Sequence, residues 1–314
     1  DCYPHLPEED TYRSIRVDLP NQHCDPEIAS DLYNRYLDLW CACDEIGLGI
    51  MLNEHHQTAT CMVPAAPIML GILARQTKNA RLLILGNPLP NRNQPVRVAE
   101  EMALVDVISK GRVECGFVRS VPYEAAAANI LPYRGSDRMW EAHDLILKAW
   151  TTHDGPFNFE GEWYHHRQVN IWPRPYQQPH PPVWIAAFGP KALTQAGTFG
   201  LPYLSSPMES LQTLLANYDT HRTACAAAAL SPPAEVPVMR TVFVSRDTHQ
   251  LRTLREKVVA VTDNSRLQDG ETLDDWAIIG EPNEVYDRLA SYVEQLGMTH
   301  LISTRLRVKG LHAE

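Results

Sequence analysis

No stretch of the chain approaches the ~20 apolar residues that a membrane-spanning helix needs, and no secretory signal is visible. A cytoplasmic location is expected from the cysteines, which read as reduced thiols. Positive charge is scarce as well. There are 28 Lys and Arg against 38 Asp and Glu, a formal net charge of -10, which argues against a nucleic-acid-binding surface. Cysteine is too sparse and too irregular for a metal or disulfide framework. The seven residues are odd in number and lack zinc-type spacing, and Cys41 and Cys43 point apart on a predicted helix. Reduced thiols are the expectation. Finally, no G-x-G-x-x-G opens a βαβ unit, so a second nucleotide site of that kind is not expected. Apolar residues are not lacking: at 44%, with 21% charged, the chain can build a full core.

The most informative stretch runs from Gly49 to His56. Ile50, Met51 and Leu52 are consecutive and apolar, the pattern of a parallel strand buried on both faces. It follows an amphipathic helix over about 27–47, which Gly47 can close in the left-handed conformation. His55 and His56 then lie where the strand's carboxyl end opens, the end that carries the chemistry in parallel α/β folds. Further along, Pro67, Pro95, Pro190 and Pro282 suit first helical turns. Strands are expected near 81–86, 112–118, 183–188, 201–205, 238–245 and 299–306. Asn87 to Pro90 should break the first of these, and 123–135 should be a long loop before a helix capped by Ser136. Residues 155–182 read as a hairpin followed by a proline-rich insertion, and 262–278 as a mobile loop. Seven strands, mostly separated by helices, imply a parallel sheet with right-handed crossovers. An eight-unit barrel is one strand longer, and the expectation places that strand upstream of Asp1 or outside this numbering. The ending at 310–314 reads as a last helix missing or disordered.

Several polar residues invite functional readings, and each also has a plain structural one. His55 carries an imidazole, the side chain best suited to proton transfer, or is a satisfied structural histidine. Gly189-Pro190 at a strand-to-helix junction, with Lys191 beside it, can face an anion, or is an ordinary helix start. Arg119 and Arg138 flank the long loop and can grip a phosphate, or are surface arginines.

Taken in order, the motifs resemble the bacterial luciferase-like, flavin-dependent monooxygenases over about 20–311. Asn53-Glu54-His55-His56 is similar to the family's Glu-His-His strand end. Pro95-Val96-Arg97-Val98-Ala99-Glu100 resembles its Pro-Val-Arg-x-Ala-Glu helix start, and 105–112 its Leu-Asp-x-x-Ser-x-Gly-Arg turn. Pro173 to Trp184 resembles its proline-rich approach to the strand before the phosphate site. The resemblance implies one (β/α)8 TIM barrel with insertions, spanning 1–314 as a single domain. It also implies reduced FMN as co-substrate, supplied by a separate NAD(P)H:flavin reductase, with O2 forming a C4a-peroxyflavin that oxygenates a small organic substrate. A homodimer is implied too. Carried over, His55 is the catalytic acid/base. Gly86 and Asn87 would form a non-prolyl cis peptide under the flavin. Arg119, Arg138, Phe188, Gly189, Pro190 and Lys191 would bind its phosphate side. His56, Trp163 and Trp172 are candidates for the substrate pocket. The chain departs from luciferase at Phe188, Gly189 and Ala192, and has Val118 at the place of a reactive cysteine. Light emission is not expected.

Three other readings compete. An F420-dependent oxidoreductase would use the same fold, and a non-catalytic flavin-binding relative would lack turnover. A zinc hydrolase is suggested by His55-His56 and His165-His166. Adjacent strand residues face opposite sides, however, so one metal cannot easily take both rings, and no metal is expected.

Overall fold

A computed structural model describes residues 3, 6–7, 11–262, 275 and 277–304. The chain forms two compact units, 1–184 and 185–314.

In the first unit, helix α1 (Pro26–Glu45) starts on Asp25, whose carboxylate accepts the Glu27 and Ile28 N–H groups at 2.9 and 3.3 Å. Gly47, at φ +79°, turns the chain toward strand β1 (Ile50–Leu52). Helix α2 (Ala66–Gln76), strand β2 (Leu82–Pro88), helix α3 (Pro95–Ser109) and strand β3 (Val113–Val118) follow. β1, β2 and β3 pair in parallel, with Ile50 opposite Leu82 and Leu82 opposite Val113. All of β2 is buried, as a strand covered on both faces must be.

Several buried polar groups fix this layer. Asp44 accepts N–H bonds from Lys78, Asn79 and Ala80 at 2.6–2.8 Å and so ties the end of α1 to the turn before β2. Asp106, fully buried, takes the backbone and side-chain N–H groups of Gln177 at 2.9 and 2.8 Å, anchoring the proline-rich segment. Arg112 donates to the carbonyls of Ala74, Thr77, Ala80 and Ser109. Thus the Leu-Asp-x-x-Ser-x-Gly-Arg-like turn is a structural clamp.

Helix α4 (Pro122–Ala127) and helix α5 (Gly135–Thr151) come next, and Trp150 bolts α5 to α3 by donating to the Ala99 carbonyl at 2.9 Å. Strands β4 (Phe157–Glu160) and β5 (His165–Val169) form the expected antiparallel hairpin. Its tip is held by Glu141, which accepts the N–H groups of Glu162, Trp163 and Tyr164 at 2.8–2.9 Å. A Cβ at Gly161 would lie 1.9 Å from the Glu141 carboxylate, so a larger residue there would push that side chain off the N–H groups it accepts.

Strand β6 (Val183–Ala186) leads into the second unit, where it pairs in parallel with β7 (Tyr203–Leu204) across helix α6 (Gly189–Thr198). Helix α7 (Leu211–Ala227) is capped by Ser210. Strand β8 (Pro237–Val244) pairs in parallel with both β9 (Ala277–Gly280) and β10 (His300–Thr304). Helices α8 (Thr248–Thr262) and α9 (Pro282–Leu296) complete the unit, and Gly297 closes α9 at φ +74°. Arg240, with no solvent exposure, donates to the Tyr292 hydroxyl and the Glu209 carbonyl.

The structure corrects five expectations. β2 runs on through Asn87 to Pro88, because a shift in its pairing between Ile84 and Asn87 re-registers it onto Phe117 and Val118. The cis peptide is Leu85–Gly86 and not Gly86–Asn87. Part of the expected loop over 123–135 is helix α4. Ser136 lies inside the first turn of α5, whose cap position is Arg134. The reading of 262–278 as loop misses Ala277 and Ile278, which open β9; four apolar residues carry too little pattern to announce a strand without its partner β8. Residues 263–274 and 305–314 lie outside the described residues.

Candidate active site

The loop after β1 folds back on itself, with the His55 N–H on the Val63 carbonyl at 3.2 Å. This presents three consecutive polar side chains. Glu54 is 3% exposed and is saturated with donors. One of its oxygens accepts the Ala66 N–H at 2.8 Å; the other accepts Arg92 Nη2 at 2.5 Å and His56 Nε2 at 2.9 Å. His55 points elsewhere. Its Nδ1 lies 2.8 Å from Oε1 of Glu124, on α4, and that same oxygen accepts the His56 N–H at 3.1 Å. Adjacent residues in extended chain face opposite sides, and here the two rings go to two different carboxylates.

Burial pulls the Glu124 carboxyl upward, but the hydrogen bonds and charge of His55 and His56 outweigh it, so its pKa falls below the usual range. Glu124 is thus an ionised acceptor. The His55 ring stays one-third exposed, with a side-chain exposure of 33%.

A second layer braces this cluster. Arg138 donates from Nε to the Pro90 carbonyl at 2.9 Å and from Nη2 to Asn93 Oδ1 at 3.3 Å, and its guanidinium lies over the Tyr164 ring at 4.8 Å. The Tyr164 hydroxyl donates to the Arg92 carbonyl at 3.2 Å, and burial pushes its pKa up to about 12. So Arg138 sits in the neighbourhood of the Glu54–Arg92 pair, with much of its donor capacity committed to the chain at 90–93.

Two positions remain uncommitted. Asn87, at the carboxyl end of β2, is 1% exposed and its Oδ1 has no hydrogen-bond partner among the described residues. Arg119, just past the carboxyl end of β3, is exposed and makes no hydrogen bond or ion pair among the described residues. Gly86 allows close packing of β2 on β3: a Cβ there would lie 1.8 Å from a Val118 methyl.

The candidate pocket aromatics are less convergent. Trp163 is half-buried, with the Arg134 guanidinium 5.3 Å from its ring, whereas Trp172 is 81% exposed beside a cis Trp172–Pro173 bond.

In the second unit, Phe188, Gly189, Pro190 and Lys191 form the entry to α6. No side chain caps it, Gly189 takes φ +76°, and Phe188 and Lys191 are exposed. The open N–H groups of such a turn favour an anion.

Glu124, Glu54 and Arg92 were not among the sequence candidates. The run Pro122-Tyr123-Glu124-Ala125-Ala126-Ala127 carries a helix signal, proline followed by alanines, that marks α4. Nothing in the sequence reports that its glutamate meets a histidine 69 positions earlier.

In the first unit a strand-end histidine sits on a buried carboxylate, and in the second an uncapped helix start opens after a strand; both are features of the α/β class at the carboxyl ends of its strands. The comparison with known proteins gives the class a family: residues 18–300 match the luciferase-like monooxygenase model, and the chain belongs to that family. It is 26% identical over 229 residues to the oxygenase component of flavin-dependent trigonelline monooxygenase from Acinetobacter baylyi, covering 70% of this chain and 62% of the relative. It is 26% identical over 264 residues to F420-dependent glucose-6-phosphate dehydrogenase from Beutenbergia cavernae, covering 76% of each. The oxygenating constituent of 3,6-diketocamphane monooxygenase from Pseudomonas putida, solved with FMN, superposes with a TM-score of 0.76 at 17% identity, over 88% of this chain and 87% of that one. The fold class is that expected from the sequence, the (β/α)8 type of these structures. The matched regions span only 47–62% of the length of the first curated relatives.

Proposed function

We propose that this chain is the oxygenase component of a two-component monooxygenase, organised as one luciferase-like barrel domain. It takes reduced FMN from a separate NAD(P)H:flavin reductase and oxygenates a small organic substrate with O2. The observation that carries this reading is His55: a partly exposed imidazole, seated on an ionised buried carboxylate at a strand's carboxyl end, in a chain of the luciferase-like family. The residues fit a flavin. Asn87 Oδ1 is a buried acceptor without a donor, which the N–H edge of a flavin ring can satisfy. Arg119 in the first unit is a cation without a partner among the described residues, and the uncapped α6 entry with Lys191 in the second offers free N–H groups; each suits a phosphate. Reduced FMN, when bound, supplies the electrons that activate O2.

The protein's own part is binding, orientation and proton handling. Arg119 in the first unit, and separately Phe188, Gly189, Pro190 and Lys191 in the second, are the candidates for the phosphate end, and Arg138 braces the loop at 90–93. Gly86 and Asn87 line the ring. His55 holds or delivers a proton at Nε2, and His56, fixed by Glu54, is a candidate for the substrate pocket. Trp163 and Trp172 contribute to the substrate side from the insertion. A homodimer is supported by apolar pairs left exposed at i, i+4 spacing on neighbouring helices: Ile68 and Ile72 on α2, Leu104 and Ile108 on α3. Among the described residues no helix is long and apolar enough to cross a membrane, and we place the protein in the cytoplasm.

A second reading is favoured by the F420-dependent relative, matched over 76% of the chain. Anaerobic titration with photoreduced FMN, and in parallel with F420, tests both. Tight binding of reduced FMN, followed by O2 consumption coupled to product from a panel of carbonyl and ring substrates, supports the oxygenase. Binding of F420 in place of FMN would move the assignment to an F420-dependent oxidoreductase, and flavin binding without turnover to a non-catalytic relative.

A further inference from the structure

We propose that Glu124 is a positioning residue for His55: it holds the imidazole as the Nδ1–H tautomer and leaves Nε2 as the proton-exchanging atom. The inference rests on the reading of His55 as the acid/base, and its geometry stands independently of any flavin. A carboxylate that is ionised can only accept hydrogen bonds. Glu124 Oε1 lies 2.8 Å from His55 Nδ1, so that nitrogen must carry a proton in the neutral ring. The same oxygen accepts the His56 N–H at 3.1 Å, and the Glu124 side chain is only 2% exposed. Two donors on one oxygen fix the carboxylate's rotation, and the His55 backbone is itself tied to Val63.

The imidazoles cannot trade partners. His56 Nε2 is held by Glu54, which is also bound by Arg92 and Ala66. His55 Nε2, by contrast, has no partner among the described residues, and the side chain keeps 33% exposure. A proton-transfer group needs that asymmetry: one nitrogen anchored, the other presented to the reacting molecule. Glu124 also lies beside Tyr123, so the contact is built by the single short helix α4.

The test uses the full chain labelled with 15N-histidine, without flavin, at a pH where the rings are neutral. Long-range 1H–15N spectra report the tautomer of each ring, and His55→Gln assigns the signal. Expected is Nδ1–H for the wild type and for Glu124→Gln, whose amide oxygen still accepts. Glu124→Ala should switch His55 to the Nε2–H form that free imidazole prefers. An Nε2–H ring in the wild type, or no change in Glu124→Ala, would overturn the proposal. These spectra remain informative if the flavin reading fails, because no flavin is present. With the loaded enzyme, Glu124→Ala should lose about 10²-fold in product turnover, with reduced FMN bound as in the wild type, while Glu124→Gln keeps most activity. Equal losses in the two variants would overturn the positioning role. Absence of turnover in the wild type would count against the proposed function, and the tautomer would still decide the role of Glu124.

Discussion

Replacing Glu54 by Gln should destabilise the first unit although the side chain keeps its size. Glu54 accepts three donors on two oxygens: Ala66 N–H on one, Arg92 and His56 on the other. Glutamine has a single oxygen. Its better orientation keeps that oxygen on Arg92 and His56 and turns the amide NH2 against the Ala66 N–H, so a buried donor faces a donor. An unsatisfied buried group costs about 1–3 kcal/mol. Removing one charge of a buried pair costs about 3–5 kcal/mol, but the Arg92 side chain is 28% exposed, so water compensates much of that share. The sum is about 3 kcal/mol. For a chain of 314 residues this corresponds to a fall in Tm of about 4–5 °C. Thermal melts followed by circular dichroism measure it. A double-mutant cycle with Arg92→Met isolates the pair, and non-additivity of more than about 1 kcal/mol is expected for groups in contact. A fall below about 1 °C, or additive effects, would refute the saturated-acceptor argument.

Other outcomes follow from the same geometry. Arg119→Ala should weaken FMN about 10- to 100-fold and leave riboflavin nearly unchanged, since only FMN has a phosphate for a charge-assisted bond; equal losses by calorimetry would place the arginine elsewhere. His55→Ala should bind reduced FMN normally but form product about 10²-fold more slowly, with O2 released as hydrogen peroxide. Unchanged product yield per O2 would remove His55 from the chemistry. Stability should also fall in acid. The Asp44 carboxyl is lowered, chiefly by the Lys78 N–H bond, and Glu124 is lowered despite its burial. Both stabilise fully above the usual carboxylate range, and that contribution is lost as pH falls through their folded values. Asp44→Asn and Glu124→Gln should each flatten the acid limb of urea-derived stability. At the alkaline end, burial raises Tyr164 from 10.0 to about 12, so its contribution is complete below pH 10.0 and disappears as pH rises toward 12. Tyr33, Tyr203 and Tyr218 are raised by burial too and contribute in both proteins, so Tyr164→Phe should lessen the alkaline limb, and a limb unchanged from wild type would sink that assignment.

What could be read from the chain, and what could not, follows from the range of each interaction. Periodicity and proline placement are local, and they located α1, α2, α3, α6 and α9 with prolines in or near their first turns. The buried run at 82–85 and the hairpin around Gly161 were legible for the same reason. Short elements were not. α4 has six residues and β9 four, too few for a period, and each is stabilised by a distant partner. The site divides along the same line. His55 could be found because a strand end is a local feature. Its carboxylate could not, because Glu124 reaches it across 69 residues of chain, and Arg92 reaches Glu54 across 38.

The two carboxylates also explain why the histidines come as an adjacent pair without sharing a ligand. Along an extended chain, neighbours face opposite sides, so each ring needs its own partner. Glu54 supplies one from the loop itself, two residues before His56. Glu124 must come from another element, and α4 sits where it does because β3 delivers the chain to that side of the strand ends. The pairing is unequal: His56 belongs to a closed network of Glu54, Arg92 and Ala66, whereas His55 has one anchored nitrogen and one open one. Of two identical side chains, only the first therefore keeps a ring nitrogen without a partner among the described residues, and that asymmetry is what supports proposing the proton-transfer role for His55.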